Sequence, residues 1–304
     1  MKPIEDIALS KDMSLKTLVQ QLKNSGFQAQ NLGEGAEILE EALQQNAVTF
    51  LSFTSNMTAS GLRGIFIDLA KRKKIDVVVT TSGSIDEDMI RSEQSYLQGS
   101  FEGDDSKLGE KGINRMGNVF VPNDRYEWLE GRAAGIIAEI YEEKKELTVS
   151  ELLYEVGKRL GERSFLHWCS KNNIPVFCPG ITDGAFGMQL TFFQQKHADF
   201  KVDVVKDFAK IIDFSFLERK KCGIILGGGI AKHHTIISNL MGGGFDYAVY
   251  VNSSSPYHGS LSGATTSEAK SWGKIKAGAR SVTINGDAAV IFPLLIGSVD
   301  GFLT

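Results

Sequence analysis

Six short apolar runs rich in β-branched residues constrain this chain more than any other feature. They are VTFLSF from 48, DVVVTT from 76, IPVFCP from 174, CGIILG from 222, DYAVYVN from 246 and SVTIN from 281. Runs this short and this apolar read as buried strands, and the segments between them, such as IFIDLAKRKK, IAKHHTIISNLM and AAVIFPLLIG, carry apolar residues at helical spacing. Such alternation predicts an α/β fold: a doubly wound, mostly parallel, Rossmann-like sheet with helices on both faces. Between about 93 and 173 the strand signal vanishes and two helical stretches, YEWLEGRAAGIIAEIYEEKKE and TVSELLYEVGKRLG, predict a helical insert. With no Pro- or Ser-rich linker and no repeat, residues 1–304 are expected to form a single doubly wound domain with a short helical N-terminal lead, about 1–45.

Bulk properties remove whole classes of function. A formal net charge of −4 argues against a nucleic-acid binder, which would carry a basic stripe. The run Lys71-Arg72-Lys73-Lys74 ends a predicted helix, where cations suit the dipole. Cys169, Cys178 and Cys222 show neither C-x-x-C spacing nor an even count, so neither a disulfide framework nor a zinc ribbon is expected. His167, His197 and His258 lack partners at ligand spacing, and no metal is predicted. The start, MKPIEDIALSKD, has no apolar leader core and no stretch could span a bilayer, so a cytoplasmic protein is expected.

In an open parallel sheet, ligands bind beyond the carboxyl ends of the strands. Those ends carry Thr54-Ser55-Asn56, Thr81-Ser82-Gly83 with Asp86-Glu87-Asp88, Thr182-Asp183-Gly184, Gly227-Gly228-Gly229, Asn252-Ser253-Ser254 and Gly286-Asp287. Small residues let backbone N–H groups approach a phosphate, and acids can accept from ribose hydroxyls. The triple glycine is not G-x-G-x-x-G, and a tight turn alone would also explain it. His233 and His234 fall on the first turn of the following helix, about 100° apart, so a single ligand can face only one of them. Lys274 follows Trp272 and Gly273. On an ideal helix Glu268, Trp272 and Ile275 share a face and Lys274 points about 200° from Trp272, unless the helix distorts at Gly273. Composition alone makes Lys274 a solvent-exposed lysine; chemistry would need partial burial.

Beyond these physical readings, the chain resembles the deoxyhypusine synthase family over nearly its whole length. The resemblance is carried by TSN at 54, DVVVTTSGSIDEDMI at 76, GINRMGNVFVPN at 112, IPVFCPGITDGAFG at 174, IILGGGIAKHH at 224, DYAVYVN at 246 and SWGKI at 271. It weakens over the first forty or so residues.

That resemblance implies a homotetramer, NAD as cofactor, and transfer of the aminobutyl arm of spermidine through an imine on Lys274 to an acceptor amine. In the family's usual reaction the acceptor is a lysine of a translation factor. The matched positions imply NAD contacts from Ser55, Asn56, Thr81, Ser82, Gly83, Glu87, Asp183, Gly228, Ser253, Ser254, Asp287 and Ala288. They imply a substrate side of Asp86, Glu87, His233, Gly259, Glu268, Trp272 and Lys274. His233 would deprotonate the amine, Trp272 would offer a face to an alkylammonium chain, and Glu268 would neutralise one cationic end. Met188 and Leu261 stand where family members from eukaryotes have substrate-holding aspartates. They point either to a diverged pocket that simply packs or to a changed amine, and transfer to a small diamine such as putrescine is the alternative. A catalytically silent NAD-binding protein is the remaining one.

Overall fold

The apolar runs pair as the alternation predicts. In the computed structural model, which describes residues 2–304, five of them form parallel strands in the order Ile275–Asn285, Phe245–Asn252, Lys221–Leu226, Val48–Ser52, Val77–Val79. Every residue of Val48–Ser52 and Lys221–Leu226 is buried, the pattern of strands covered on both faces. These strands belong to one of two compact units, which comprises Met1–Phe53, Arg72–Val79 and Phe208–Thr304. The fold is α/β, with a mostly parallel central sheet flanked by helices. The expected N-terminal lead is the helix pair Leu15–Asn24 and Phe27–Gln44. Gly35 brings the second of these close to the sheet, since a Cβ there would sit 3.1 Å from Ile284 Cδ1.

The other unit, Thr54–Lys71 and Thr80–Asp207, is mainly helical. It contains the short strand Val176–Phe177 expected near 174 and the helices Asp124–Glu143 and Val149–Lys158 expected in the insert. Thr148 and Glu151 form a capping box that starts the Val149–Lys158 helix. The insert is not strand-free, however. Leu97–Gln98, Val119–Pro122 and Ile113–Met116 make a small antiparallel sheet, and Glu146–Thr148 pairs with Lys201–Asp203. These strands are two to four residues long and mostly part-exposed, too short to show an apolar period. Among the described residues no helix is long and apolar enough to cross a membrane.

Candidate functional site

Lys274 owes its position to the way the preceding helix stops. Thr265 caps the helix Thr266–Ser271 through Glu268 N, and Gly273 follows in the left-handed region at φ 67°. Gly273 N donates to Lys270 O at 3.0 Å and Lys274 N to Ala269 O at 3.1 Å, the paired bonds of a Schellman ending. The chain then turns into the strand Ile275–Asn285, and Lys274 Nζ comes to 5.4 Å from the Trp272 ring centroid. A continuous helix would have pointed the two side chains apart; the glycine stop brings them together.

Trp272, Lys274, Glu268 and Gly259 line one cavity of about 190 Å³, together with Lys232, Ile236, Tyr250, Leu261 and neighbouring small residues. Glu268 is the lone carboxylate of that lining. His233 is half-buried outside the lining, and burial and the nearby Lys274 charge hold its imidazole below the ordinary pKa. It is therefore neutral at pH 7, the form that accepts a proton. His234 packs against Phe208 at 5.0 Å between ring centroids, and burial pushes it down to about 4. Of the adjacent pair, His234 is the packing residue.

Lys232 was not picked out by sequence reasoning. It has no exposed surface, and its Nζ donates to Ala264 O at 2.6 Å and Ser262 O at 3.3 Å. Burial lowers it to about 8, against a smaller opposing pull from Glu268. The signal was available: Lys232 stands four residues before the buried Ile236, on the inward face of the Gly229–Ser238 helix.

In the same unit, the sheet edge collects the predicted small residues. Gly227 N bonds to Val251 O and Gly286 N to Asn252 O, so the strand ends bearing Gly228, Ser253, Ser254, Asp287 and Ala288 lie side by side. Gly228 permits a close approach, since a Cβ there would meet Ser262 at 2.6 Å. Asp287 already caps its own helix through Ala289 N, Ala288 is buried, and Ser253 is exposed.

In the helical unit, Ser55, Ser82, Gly83, Asp86 and Gly184 converge. A Cβ on Gly83 would lie 2.9 Å from Ser55 Cβ, and one on Gly184 would lie 2.6 Å from Asp86 Oδ2. Thr81 caps the Ser82–Glu93 helix position without a side-chain bond, Asn56 accepts from Thr54 Oγ1, and Asp183 is exposed. Successive acids on that helix point about 100° apart and meet different partners. Asp86 accepts from Ala185 N and Phe186 N, and Asp88 from Phe165 N, Leu166 N and Ser164 Oγ. Glu87 lies beside Tyr96, which draws its carboxyl down a little, yet Glu87 Oε2 completes no well-aligned hydrogen bond.

Burial raises Asp86 to about 6 and Glu87 to about 7. A carboxyl raised on folding contributes stability below its unfolded pKa and loses it as pH rises through the folded value. Glu87→Gln should therefore gain stability over the natural protein as pH climbs from about 5 to about 8, by up to roughly 3 kcal/mol. Urea midpoints across that range check this; a difference independent of pH would contradict it.

A family model described as deoxyhypusine synthase matches residues 17–299. A probable deoxyhypusine synthase of Thermoplasma acidophilum is 43% identical over 298 residues, covering 97% of this chain and 96% of that one. Another from Thermococcus gammatolerans is 42% identical over 315 residues, covering 98% and 94%. Among solved structures, a putative deoxyhypusine synthase from Entamoeba histolytica superposes with a TM-score of 0.72 at 26% identity, covering 98% and 96%.

Proposed function

The chain belongs to the deoxyhypusine synthase family, and we propose that it is a transferase that moves the aminobutyl arm of spermidine, or of a related polyamine, through an imine on Lys274 to an acceptor amine. The observation that carries this reading is the cavity that Lys274 shares with Glu268 and Trp272.

Trp272, Ile236 and Leu261 offer apolar surface to a methylene chain, and Glu268 takes its terminal ammonium. His233, neutral at pH 7, accepts the proton that the reacting nitrogen must lose. Lys274 Nζ, as the free amine, adds to the substrate's imine carbon; a new C–N bond forms, the bond from that carbon to the original nitrogen breaks, and with spermidine 1,3-diaminopropane leaves, carrying the two protons that Lys274 Nζ gives up. The acceptor amine then displaces Lys274 by the same exchange. Walls of Ile236, Tyr250 and Ala264 limit water, which would hydrolyse the imine.

NAD, when bound, supplies a hydride acceptor that opens the reaction and a donor that closes it. The residues fit such a group. Glu87 is a buried carboxyl beside Tyr96 whose Oε2 completes no well-aligned hydrogen bond, and Gly228 precedes a helix of ten residues whose first amide, Gly229 N, donates to Ser262 Oγ at 3.2 Å. The resemblance assigns NAD contacts to Gly228, Ser253, Ser254, Asp287, Ala288, Ser55, Asn56, Thr81, Ser82, Gly83, Glu87 and Asp183. Gly259 and Asp86 remain on the substrate side, Asp86 as the support of the Ala185–Lys196 helix. A homotetramer and a protein lysine as acceptor complete the reading.

Incubation with NAD and spermidine followed by borohydride should leave a stable mass adduct on Lys274. No adduct with any polyamine would sink the proposal. The alternative acceptor is a small diamine such as putrescine in place of a protein lysine. Product analysis with and without a protein acceptor separates the two.

A further inference from the structure

Lys232 is the cavity group that the proposed reaction leaves without a task. Its Nζ is held by the carbonyl oxygens of Ser262 and Ala264 and lies 4.7 Å from the Tyr250 ring centroid. Carbonyl oxygens and an aromatic face stabilise an ammonium without neutralising it. Glu268 acts on it only through space. The lining thus carries two lysines and one carboxylate.

We propose that Lys232 is a specificity-determining residue: its pinned ammonium lets the cavity hold one positively charged nitrogen, at Glu268, and disfavours a second. The inference rests on reading the cavity as an amine site. Like charges a few ångströms apart in a partly dry cavity repel strongly, and the bonds to Ser262 and Ala264 keep Lys232 from swinging away. A second substrate nitrogen near Lys274 must then enter as the free amine. That is the form whose lone pair supports imine formation, and the proton it sheds passes to His233 or to solvent.

The charged and titratable groups around Lys232 are few. Glu268 belongs to the Thr266–Ser271 helix, Lys274 to the turn after it, Tyr250 to the Phe245–Asn252 strand and His233 to its own helix. The packed turn Leu261–Gly263 contributes none. His233 is neutral from pH 7 upward, and burial keeps the Tyr250 phenol protonated well beyond the ordinary range.

The test compares binding of n-pentylamine with that of 1,5-diaminopentane, equal in length and differing by one charge, by calorimetry on the full chain. The natural protein should prefer the monoamine at pH 7 by about tenfold. Lys232→Met should erase that preference and Lys232→Arg should keep it. Raising the natural protein from pH 7 to about 9, where Lys232 loses its proton and both diamine nitrogens keep theirs, should narrow the ratio without any substitution. An unchanged ratio in both Lys232→Met and the pH series overturns the proposal, as does failure of n-pentylamine to bind. Because no turnover is needed, the outcome is independent of whether borohydride traps an adduct on Lys274.

Discussion

Lys274→Ala should abolish the borohydride-trapped adduct and cut amine transfer by about a thousandfold or more. Lys274→Arg should fail equally, since a guanidinium stays protonated and forms no imine, although it preserves charge beside Trp272. That comparison separates a nucleophile from a cation that merely fills space. Neither variant is expected to unfold the protein. The side chain is half-buried and its contact is with the Trp272 ring, so stability should shift by no more than about 0.5 kcal/mol. Mass spectrometry of the trapped protein and a transfer assay are the measurements. Lys274→Arg keeping more than about a tenth of the transfer rate would remove the covalent role.

What could be read in advance follows from how strongly each level of structure marks the sequence. The six strands were legible because buried parallel strands are near-continuous apolar runs, and VTFLS and CGIIL are buried at every position. The small sheet around Val119–Pro122 was not, because half-exposed strands of a few residues leave no period. The sheet-edge residues were legible as a class, but their engagement was not: Asp287 caps its own helix and Asp86 supports another, so acids alike in sequence differ in what they leave free. Lys274 is ambiguous on an ideal helix because the sequence marks Gly273 as a break without showing the left-handed stop it makes. Lys232 is harder to see because a lysine between a glycine turn and two histidines looks solvated, although its place four residues before Ile236, on the same helix face, marks the inward side.

The run Asp86-Glu87-Asp88 carries the largest expected effect on stability. Asp88 has no exposed surface and serves as the hub of its surroundings: Oδ1 accepts from Phe165 N at 2.9 Å and Oδ2 from Leu166 N at 3.0 Å and Ser164 Oγ at 2.6 Å. Arg63 completes the site with an ion pair at 3.0 Å. The carboxylate thus satisfies the amide groups that open the Phe165–Lys171 helix and neutralises a guanidinium that also bonds to Arg91 O. Removing it strands two buried amides and a mostly buried cation together, and the two penalties act in the same direction. Asp88→Ala should cost about 3–5 kcal/mol, a large share of the roughly 5–15 kcal/mol by which folded domains are stable. Asp88→Asn retains one acceptor and loses the charge, so its cost should fall between those of the natural protein and the alanine variant. Urea unfolding followed by circular dichroism checks the order. A loss below about 1 kcal/mol for Asp88→Ala would mean that water replaces the carboxylate at this helix start.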